Sequence, residues 1–296
     1  MDITKINGST GVIIYGTNIG VYTFKSKQCI LIDTGINSSQ GKKIDEVLKL
    51  QGLKPKYIIN THHHGDHTGG NKYFLENYPG TEVYSSALCK THLENELLEP
   101  SIIFGGNPLK ELLNKGLNHN VHYTLHSGIE KINDEKFEIL YLKGHAQSQI
   151  GIITPDRVCF VGDSVFSHEI LDKYSFPFLY NISDTLNSLE SMKDLDADYF
   201  VLGHCREFLL KEEFIKLIDR NIKNIENYIE QILELLNQPI SKEDLMQNII
   251  ILNDLDLSIK QYFLNLSSLS GFLTYLKEKD LINYSLEEGK IYYYVK

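Results

Sequence analysis

The chain has 296 residues, a formal net charge of −10 at pH 7 and 23% charged side chains. A chain of this length can bury about three-quarters of its unfolded surface, which is enough for one sizeable α/β core with an appended part. The acidic balance disfavours a nucleic-acid partner, because phosphate backbones attract basic surfaces, and favours a small-molecule substrate as the partner.

Short apolar runs in the first sixty residues predict strands separated by turns and one helix. Residues 12–15, 21–24 and 29–32 have the length and composition of successive strands. Residues 42–50 predict a helix, and residues 57–59 a further buried strand. Strands that alternate with helices are typical of an α/β protein.

A cluster of metal-binding residue types follows this last strand directly, since residues 62–67 read His-His-His-Gly-Asp-His. Side chains two apart on extended backbone point the same way, so His62 and His64 can bind one ion while His63 points to the opposite face. Gly65 permits a sharp reversal that brings the last two residues of the segment round the far side. The cluster is internal and lies between a strand and a predicted helix, which argues against an affinity tag.

Three more candidate ligands occur in the same context of apolar strand, glycine and ligand. Residues 137–141, 158–161 and 199–202 are the apolar runs, and the ligands that follow them are His145, Asp163 and His204. Sites in layered α/β proteins are commonly assembled at the carboxyl ends of the strands. We therefore expect these residues to converge with residues 62–67 on one cleft, as catalytic metal sites require.

The order and spacing of these fragments resemble the metallo-β-lactamase superfamily over about residues 10–210. The fragments are residues 31–35 (Leu-Ile-Asp-Thr-Gly), 61–67, 144–145, 161–163 and 203–204. The resemblance implies an αβ/βα sandwich of two mixed sheets with helices outside, and an Asp33 that supports the metal loop. One departure is the segment 146–149 (Ala-Gln-Ser-Gln), where many relatives have a threonine or serine and then a glycine.

The resemblance also implies how the ligands divide between two ions. One ion would be held by three histidines, the other by a mixed set, and one carboxylate would bridge them. The first set is His62, His64 and His145, the second is Asp66, His67 and His204, and the bridge is Asp163. Imidazole and carboxylate ligands without thiolate favour zinc and do not exclude iron or manganese. Two such ions lower the pKa of a shared water, so a bridging hydroxide would be the nucleophile, with Asp66 as the catalytic residue that orients it.

Three classes of function fit such a site. The first is hydrolysis of a small ester, thioester or lactone, as in the glyoxalase II-like and lactonase-like branches that the sequence resembles. The second uses the site differently, either for iron-dependent sulfur oxygenation as in persulfide dioxygenases, with His62, His64 and His145, or for phosphodiester cleavage as in nucleases. The third is a non-catalytic, metal-binding regulatory protein.

Two irregular segments are candidates for the walls of the cleft. Residues 166–180 are rich in aromatic side chains, and His168, Tyr174 and Tyr180 within them are the predicted substrate contacts. Residues 99–116 predict a loop followed by a short helix at 109–114. His92 belongs to a helix predicted over 87–98, where surface exposure is expected.

The composition changes after His204, which predicts a catalytic domain over 1–210 and a small, mainly helical domain over 211–296. Apolar residues at helical spacing predict one long helix that stops before Pro239, and Ser241 predicts the N-cap of a helical stretch to about Lys279. Residues 281–286 and 290–295 predict a closing hairpin, so the tail resembles a winged helix. From residue 240 on, six lysines face eight acidic residues, which disfavours nucleic-acid binding. Pairing between two subunits, or capping of the cleft by Tyr262, Phe263 or Tyr275, fits this part of the chain better.

Cysteine usage and the N-terminal residues bear on the compartment. The four cysteines form no Cys-x-x-Cys pair, which is typical of reduced thiols in an intracellular protein, and Cys29 and Cys159 lie inside apolar runs that predict burial. Met1 to Lys5 lack a signal-peptide pattern, and eighteen apolar residues never run together. We therefore expect a cytoplasmic protein without a membrane partner.

Overall fold

The computed structural model describes residues 1–113, 119–255 and 257–296. The first part of the chain alternates strands with helices, as the apolar pattern predicts. Its elements are β1 Thr4–Asn7, β2 Thr10–Ile13, β3 Ile19–Thr23, β4 Gln28–Ile32, α1 Ser38–Leu50, β5 Lys54–Ile59, α2 Gly65–Thr68, α3 Asn71–Asn77, β6 Glu82–Ser85, α4 Ala87–Leu93, α5 Leu98–Phe104, a 3₁₀ turn Lys110–Leu112 and β7 Tyr123–Thr124. Within the described residues these strands form one sheet in the order β1-β2-β3-β4-β5-β6-β7.

A second sheet follows, and then a mainly helical part. The second sheet and its helices are β8 Gly128–Ile132, β9 Glu135–Tyr141, β10 Ile150–Ile153, β11 Val158–Gly162, α6 His168–Lys173, α7 Ile182–Met192, β12 Tyr199–Leu202 and β13 Leu209–Leu210. The C-terminal elements are α8 Lys211–Leu235, β14 Ile240–Ser241, α9 Lys242–Leu252, α10 Ile259–Glu278, β15 Ile282–Glu287 and β16 Lys290–Val295. In the described residues the second sheet has the order β13-β12-β11-β10-β9-β8, and the C-terminal strands have the order β14-β16-β15.

The two large sheets pack face to face, and the alternation of side chains along each strand determines which layer each residue enters. On β4, Ile30 and Ile32 enter the core between the sheets, where residues such as Phe137 and Phe160 meet them. Their neighbour Leu31 points the other way, into a core that helices α1, α3 and α4 cover. This αβ/βα sandwich is the fold that the sequence predicts.

The C-terminal part shares a core with the outer face of the second sheet. Phe214 of α8 stacks on Phe200 of β12 with ring centroids 3.9 Å apart and planes 9° apart. Val161 of β11 and Ile282 of β15 belong to one hydrophobic cluster, together with buried residues of α8, α9 and α10. The predicted hairpin is present as β15 and β16, and Ser241 caps α9 by accepting from the Asp244 backbone N–H. The division into domains 1–210 and 211–296 stays a prediction, because the two parts meet through a continuous core.

The structure corrects two predictions between residues 87 and 116. The helix predicted over 87–98 ends at Leu93, and the segment predicted to be a loop begins with helix α5. Pro100 is compatible with α5 because it lies in the first turn, where its missing N–H is not needed, and Gly105 ends the helix in the left-handed region at φ 79°. Of the helix predicted over 109–114, the structure has a 3₁₀ turn at Lys110–Leu112, and Asn114 lies outside the described residues.

None of the described helices is both long enough and apolar enough to cross a membrane.

Thiol reactivity tests the packing of the cysteines. Cys29, Cys89 and Cys159 are fully buried, and burial raises the pKa of the Cys29 thiol to about 12 and the other two further. Cys205 is partly exposed. A colorimetric thiol reagent at pH 8 should therefore modify Cys205 in the native protein and all four thiols in denaturant. Rapid reaction of two or more thiols without denaturant would contradict this packing.

Candidate metal centre

The candidate ligands lie where the strands of the two sheets end. β4 and β5 are parallel, as are β11 and β12, so their carboxyl ends point to the same edge of the sandwich. His62 follows β5, Asp163 follows β11 and His204 follows β12. These three segments and the one after β9, which carries His145, therefore meet at one edge, and the predicted ligands fall into two groups there.

The first group joins three imidazole nitrogens from two loops. His62 Nε2 lies 3.0 Å from His64 Nδ1, and His145 Nε2 lies 2.9 Å from the same atom. Nitrogens that each lie about 2 Å from one tetrahedral zinc ion are separated by about 3.3 Å. The spacing of the three rings thus fits one ion, and the side chains of His62 and His145 are buried.

Hydrogen bonds at the opposite ring nitrogens determine which atoms of this group carry lone pairs. His145 Nδ1 donates to the Phe178 carbonyl oxygen at 2.8 Å, and His64 Nε2 lies 3.0 Å from the Glu99 carboxylate. Thr61 donates its hydroxyl proton to Asp33, so its oxygen accepts from His62 Nδ1 at 3.0 Å. In neutral rings, the three inward nitrogens then carry lone pairs that face one another. These lone pairs repel unless a cation lies between them.

The second group combines two imidazoles with two carboxylates. His204 Nε2 lies 3.1 Å from Asp66 Oδ2 and 3.5 Å from Asp163 Oδ2. His67 Nε2 lies 3.3 Å from Asp163 Oδ1 and 3.8 Å from Asp66 Oδ2. The Asp163 carboxylate also lies 3.7 Å from His145 Nε2, so it stands between the two groups.

The opposite nitrogens of this group are again held by acceptors. His67 Nδ1 donates to Asp33 Oδ2 at 2.7 Å, and His204 Nδ1 donates to the Gly16 carbonyl oxygen at 2.6 Å. His67 Nε2 is fully buried and makes no hydrogen bond of good geometry with any described residue. An unpartnered buried nitrogen beside two carboxylates fits a divalent cation well.

The pKa values of the histidines differ between the two groups. Burial, together with the neighbouring His64, lowers the pKa of His145 to about 3, and burial also lowers the pKa of His62. Burial opposes protonation of His64 as well, but the Glu99 carboxylate outweighs it and raises the pKa of His64. In the other group burial opposes protonation, but Asp163 and other carboxylates outweigh it and raise the pKa of His204 to about 10 and that of His67 above its usual value. The carboxylate group therefore attracts positive charge, which a metal ion would supply.

Asp33 contacts residues of both groups from behind, as the resemblance to the metallo-β-lactamase superfamily implies for a residue that supports the metal loop. Its Oδ1 accepts from the Thr61 backbone N–H at 2.8 Å, and its Oδ2 accepts from the Thr61 hydroxyl and from His67. The residue itself is in the left-handed region at φ 63°. This strained backbone is tolerated by aspartate and aims the carboxylate into the loop.

Sequence reasoning missed several residues that hold the ligands in place. Glu99 lies on α5 and contacts His64; burial opposes ionisation of its carboxyl group, but the interactions with His64 and His63 outweigh this and lower its pKa. The carbonyl groups of Gly16 and Phe178 carried no sequence signal, because any residue type has a backbone oxygen. His92 is half-buried, not exposed as predicted, since α4 places its ring on His63 with centroids 3.8 Å apart.

An open cavity of about 650 Å³ adjoins both groups. Asp66 is the most exposed of the carboxylate ligands, with 38% of its side chain accessible. The residues that line the cavity are Ile36, His64, Gly65, Asp66, Glu99, Pro100, Ile103, Leu112, Leu113, His145, Asp163, Phe178, Lys260 and Leu264. The 3₁₀ turn, α5 and α10 therefore form its apolar walls.

The predicted substrate contacts lie elsewhere or at the margin. Tyr180 lines a smaller adjoining cavity that also contains His64 and Phe178. His168 is exposed at the start of α6, where it contacts Arg220, and Tyr174 is 38% exposed. Among the described residues, neither His168 nor Tyr174 lines the larger cavity, so the geometry does not bring them to the metal groups. A substrate contact of Tyr180 stays a prediction.

Comparison with known proteins agrees with this geometry. The model of the metallo-beta-lactamase superfamily matches residues 13–204. The chain is 27% identical over 231 residues to a hydroxyacylglutathione hydrolase of Prochlorococcus marinus, which covers 76% of this chain and 80% of that protein. It is 28% identical over 209 residues to a probable metallo-hydrolase of Methanocaldococcus jannaschii, covering 68% of this chain and 92% of the relative.

Solved structures match the fold over nearly the whole chain. A metallo-beta-lactamase family protein of Thermus thermophilus aligns over 97% of both chains with a TM-score of 0.74 and 18% identity. A beta-lactamase domain protein of Burkholderia ambifaria aligns over 100% of this chain and 94% of its own, with a TM-score of 0.77 and 15% identity. The shared fold thus includes the helical C-terminal part.

Removal of metal should lower stability. Because the inward lone pairs and the carboxylates repel their neighbours without a cation, an ion that binds the folded state stabilises it, by about 2.7 kcal/mol at a free concentration one hundred times the dissociation constant. Calorimetry of chelator-treated protein should show a lower unfolding temperature, and stoichiometric zinc should restore it. An unfolding temperature that is indifferent to zinc would contradict this interpretation of the two groups.

A methyl group at Gly203 should damage the second group directly. A Cβ atom there would lie 2.1 Å from Asp163 Oδ1 and 2.7 Å from His67 Cε1, so the carboxylate would have to move. We expect Gly203→Ala to lower metal affinity at least tenfold in a competition titration with a chelator. Gly106→Ala is the matched control, because its nearest neighbour is an atom of Phe104 at 3.9 Å. Equal affinities of the two variants would be inconsistent with this placement of Asp163.

Proposed function

Since the chain belongs to the metallo-β-lactamase superfamily of metal-dependent hydrolases, we propose that it cleaves a small thioester, ester or lactone with two zinc ions bound at its candidate centre. The observation that carries this proposal is the convergence of five imidazole nitrogens and two carboxylates at one edge of the sandwich. All seven predicted ligands are found in the two groups. Two groups favour hydrolysis over iron-dependent sulfur oxygenation, which would need only the three-histidine group.

The residues divide between the ions as the geometry groups them. His62, His64 and His145 would hold one ion, Asp66, His67 and His204 the other, and Asp163 would contact both. Bound ions of this kind supply an activated water at neutral pH and a Lewis acid for the substrate carbonyl. The donor set has imidazole and carboxylate groups and no thiolate, which suits zinc.

The protein's own groups would hold and orient the reactants. Burial opposes ionisation of Asp66, but the positive charge at His67 and His204 outweighs it and lowers the pKa of this carboxyl, so it is ionised at neutral pH. It also faces the cavity, so its carboxylate would accept a proton of the attacking water and fix its direction. Asp33 and the backbone carbonyls keep the histidine rings from rotating.

The cavity favours a thioester among the three substrate types. A thiolate leaves without a proton, whereas an alkoxide prefers a proton donor. Neither of the two tyrosines predicted to contact substrate, Tyr174 and Tyr180, lines the cavity among the described residues, so neither is placed to protonate an alkoxide there. A volume of about 650 Å³ with walls from α5 and α10 suits a small organic acyl group. The similar hydroxyacylglutathione hydrolase of Prochlorococcus marinus supports the same choice by its name.

Replacement of Asp66 tests the proposed chemistry. We expect Asp66→Asn to lower turnover of an acyl-glutathione thioester at least a hundredfold, because the amide cannot accept a water proton as a carboxylate does (a general base contributes about 10²–10⁴-fold). Elemental analysis of protein purified without added metal, followed by steady-state kinetics on thioester, ester and lactone panels, measures both the metal and the substrate preference.

The matched control is Asp194→Asn, an exposed aspartate that lies between α7 and β12. It should keep the wild-type rate, and circular dichroism should show that both variants are folded. Turnover by metal-free wild-type protein, or an unchanged rate in Asp66→Asn, would refute the proposed hydrolysis.

A further inference from the structure

We propose that Glu99 is a positioning residue for the ion of the three-histidine group (His62, His64 and His145). By accepting the proton of His64 Nε2, Glu99 selects the tautomer of His64 that turns Nδ1 toward this ion. The inference rests on the proposed function, because it concerns a residue that acts on a ligand of that site. Neither the ligand motif nor its spacing points to Glu99, which comes from the helix α5 and lies far from residues 62–67 in the sequence.

His64 differs from the other four histidines of the centre in the nitrogen that it turns inward. His62, His67, His145 and His204 are held at Nδ1 by an oxygen acceptor and turn Nε2 inward. His64 turns Nδ1 inward, so its Nε2 must carry the proton. A neutral imidazole has one N–H, and the group that accepts it decides which nitrogen is left as the ligand.

Glu99 is that acceptor. Its Oε1 lies 3.0 Å from His64 Nε2 and 3.6 Å from His63 Nε2, and 17% of its side chain is exposed. His63 is itself held at Nδ1 by the Ser148 hydroxyl at 2.6 Å, so the carboxylate stands between two fixed rings. A buried carboxylate between two imidazoles favours the N–H of each of them, and a carboxylate acceptor also raises the basicity of the ligand nitrogen across the ring.

The C-terminal part holds the helix that carries Glu99. Phe104 at the end of α5 packs edge-to-face on Phe263 of α10, with ring centroids 5.3 Å apart. Leu264 of α10 lines the same cavity wall as Pro100 and Ile103 of α5. Glu99 therefore links α10 to one ligand of the three-histidine group, whereas the ligands of the second group come from α2 and from the segments that follow β11 and β12.

The experiment compares Glu99→Ala and Glu99→Gln with Glu96→Ala, an exposed glutamate three residues earlier. Zinc is titrated into metal-free protein against a competing chelator, so that the affinity of each ion is measured without substrate. Such supporting carboxylates contribute about 10–100-fold to metal affinity. We expect Glu99→Ala to weaken one ion by this factor and to leave the other unchanged, and Glu99→Gln to be intermediate because its amide oxygen still accepts.

Nitrogen-15 spectra of the histidine rings provide a second readout that a purely structural role would not move. In zinc-loaded wild type, His64 should show a protonated Nε2 whose hydrogen exchanges slowly, and in Glu99→Ala this hydrogen should exchange rapidly while the other rings keep their signals. Circular dichroism and unfolding midpoints show whether each variant is folded.

The outcomes separate this inference from the proposed function. Wild-type protein that binds two ions, with Glu99→Ala as tight as Glu96→Ala at both, overturns the role of Glu99 and leaves the hydrolase intact. A third ion that disappears in Glu99→Ala also overturns it, because Glu99 would then be a ligand with His63 and His64. Wild-type protein that binds no zinc defeats the proposed metal centre, and the role of Glu99 with it.

Discussion

One buried carboxylate, that of Asp33, holds the segment that carries four of the seven predicted ligands, residues 62–67. It fixes the start of the ligand loop through the Thr61 backbone and hydroxyl, and it fixes His67 directly. Because Thr61 in turn accepts from His62, one residue orients a ligand in each of the two groups. The left-handed backbone at Asp33 is the local strain that the surrounding sheet must hold in place.

The two groups differ in the charge of their ligands, although the same two sheets hold both. The three-histidine group is supplied with an outward acceptor at each ring, so its inward nitrogens are left for a cation to stabilise. The other group carries two carboxylates, and without a metal ion it draws protons onto His67 and His204. Asp163 stands between them, so charge at either group changes the field at the other.

Local sequence patterns predicted the sandwich and the convergence of the ligands on one edge. Strand periodicity and the glycine before each ligand are both visible in adjacent residues. Ile30 and Leu31, which enter opposite cores, show how directly alternation determines a layer. Contacts between distant segments could not be predicted in this way. In the sequence, Glu99 cannot be distinguished from a surface glutamate. Pro100 and Gly105 predict a turn, and so they did not indicate helix α5, which has one of them in its first turn and the other at its C-terminal end. His168 and Tyr174 failed to reach the cavity for the same reason, since the course of a long irregular segment depends on its packing.

The stacked rings of Phe200 and Phe214 make the strand that leads to His204 and the helix that follows it one packed unit. The loop between them thus cannot shift without disturbing both a ligand and the helical tail. A tail exchanged for that of a relative would have to supply a ring equivalent to Phe214 against Phe200 before it could bring a new cavity wall to the centre. The helical tail is therefore built into the second sheet of this chain and is not an interchangeable module.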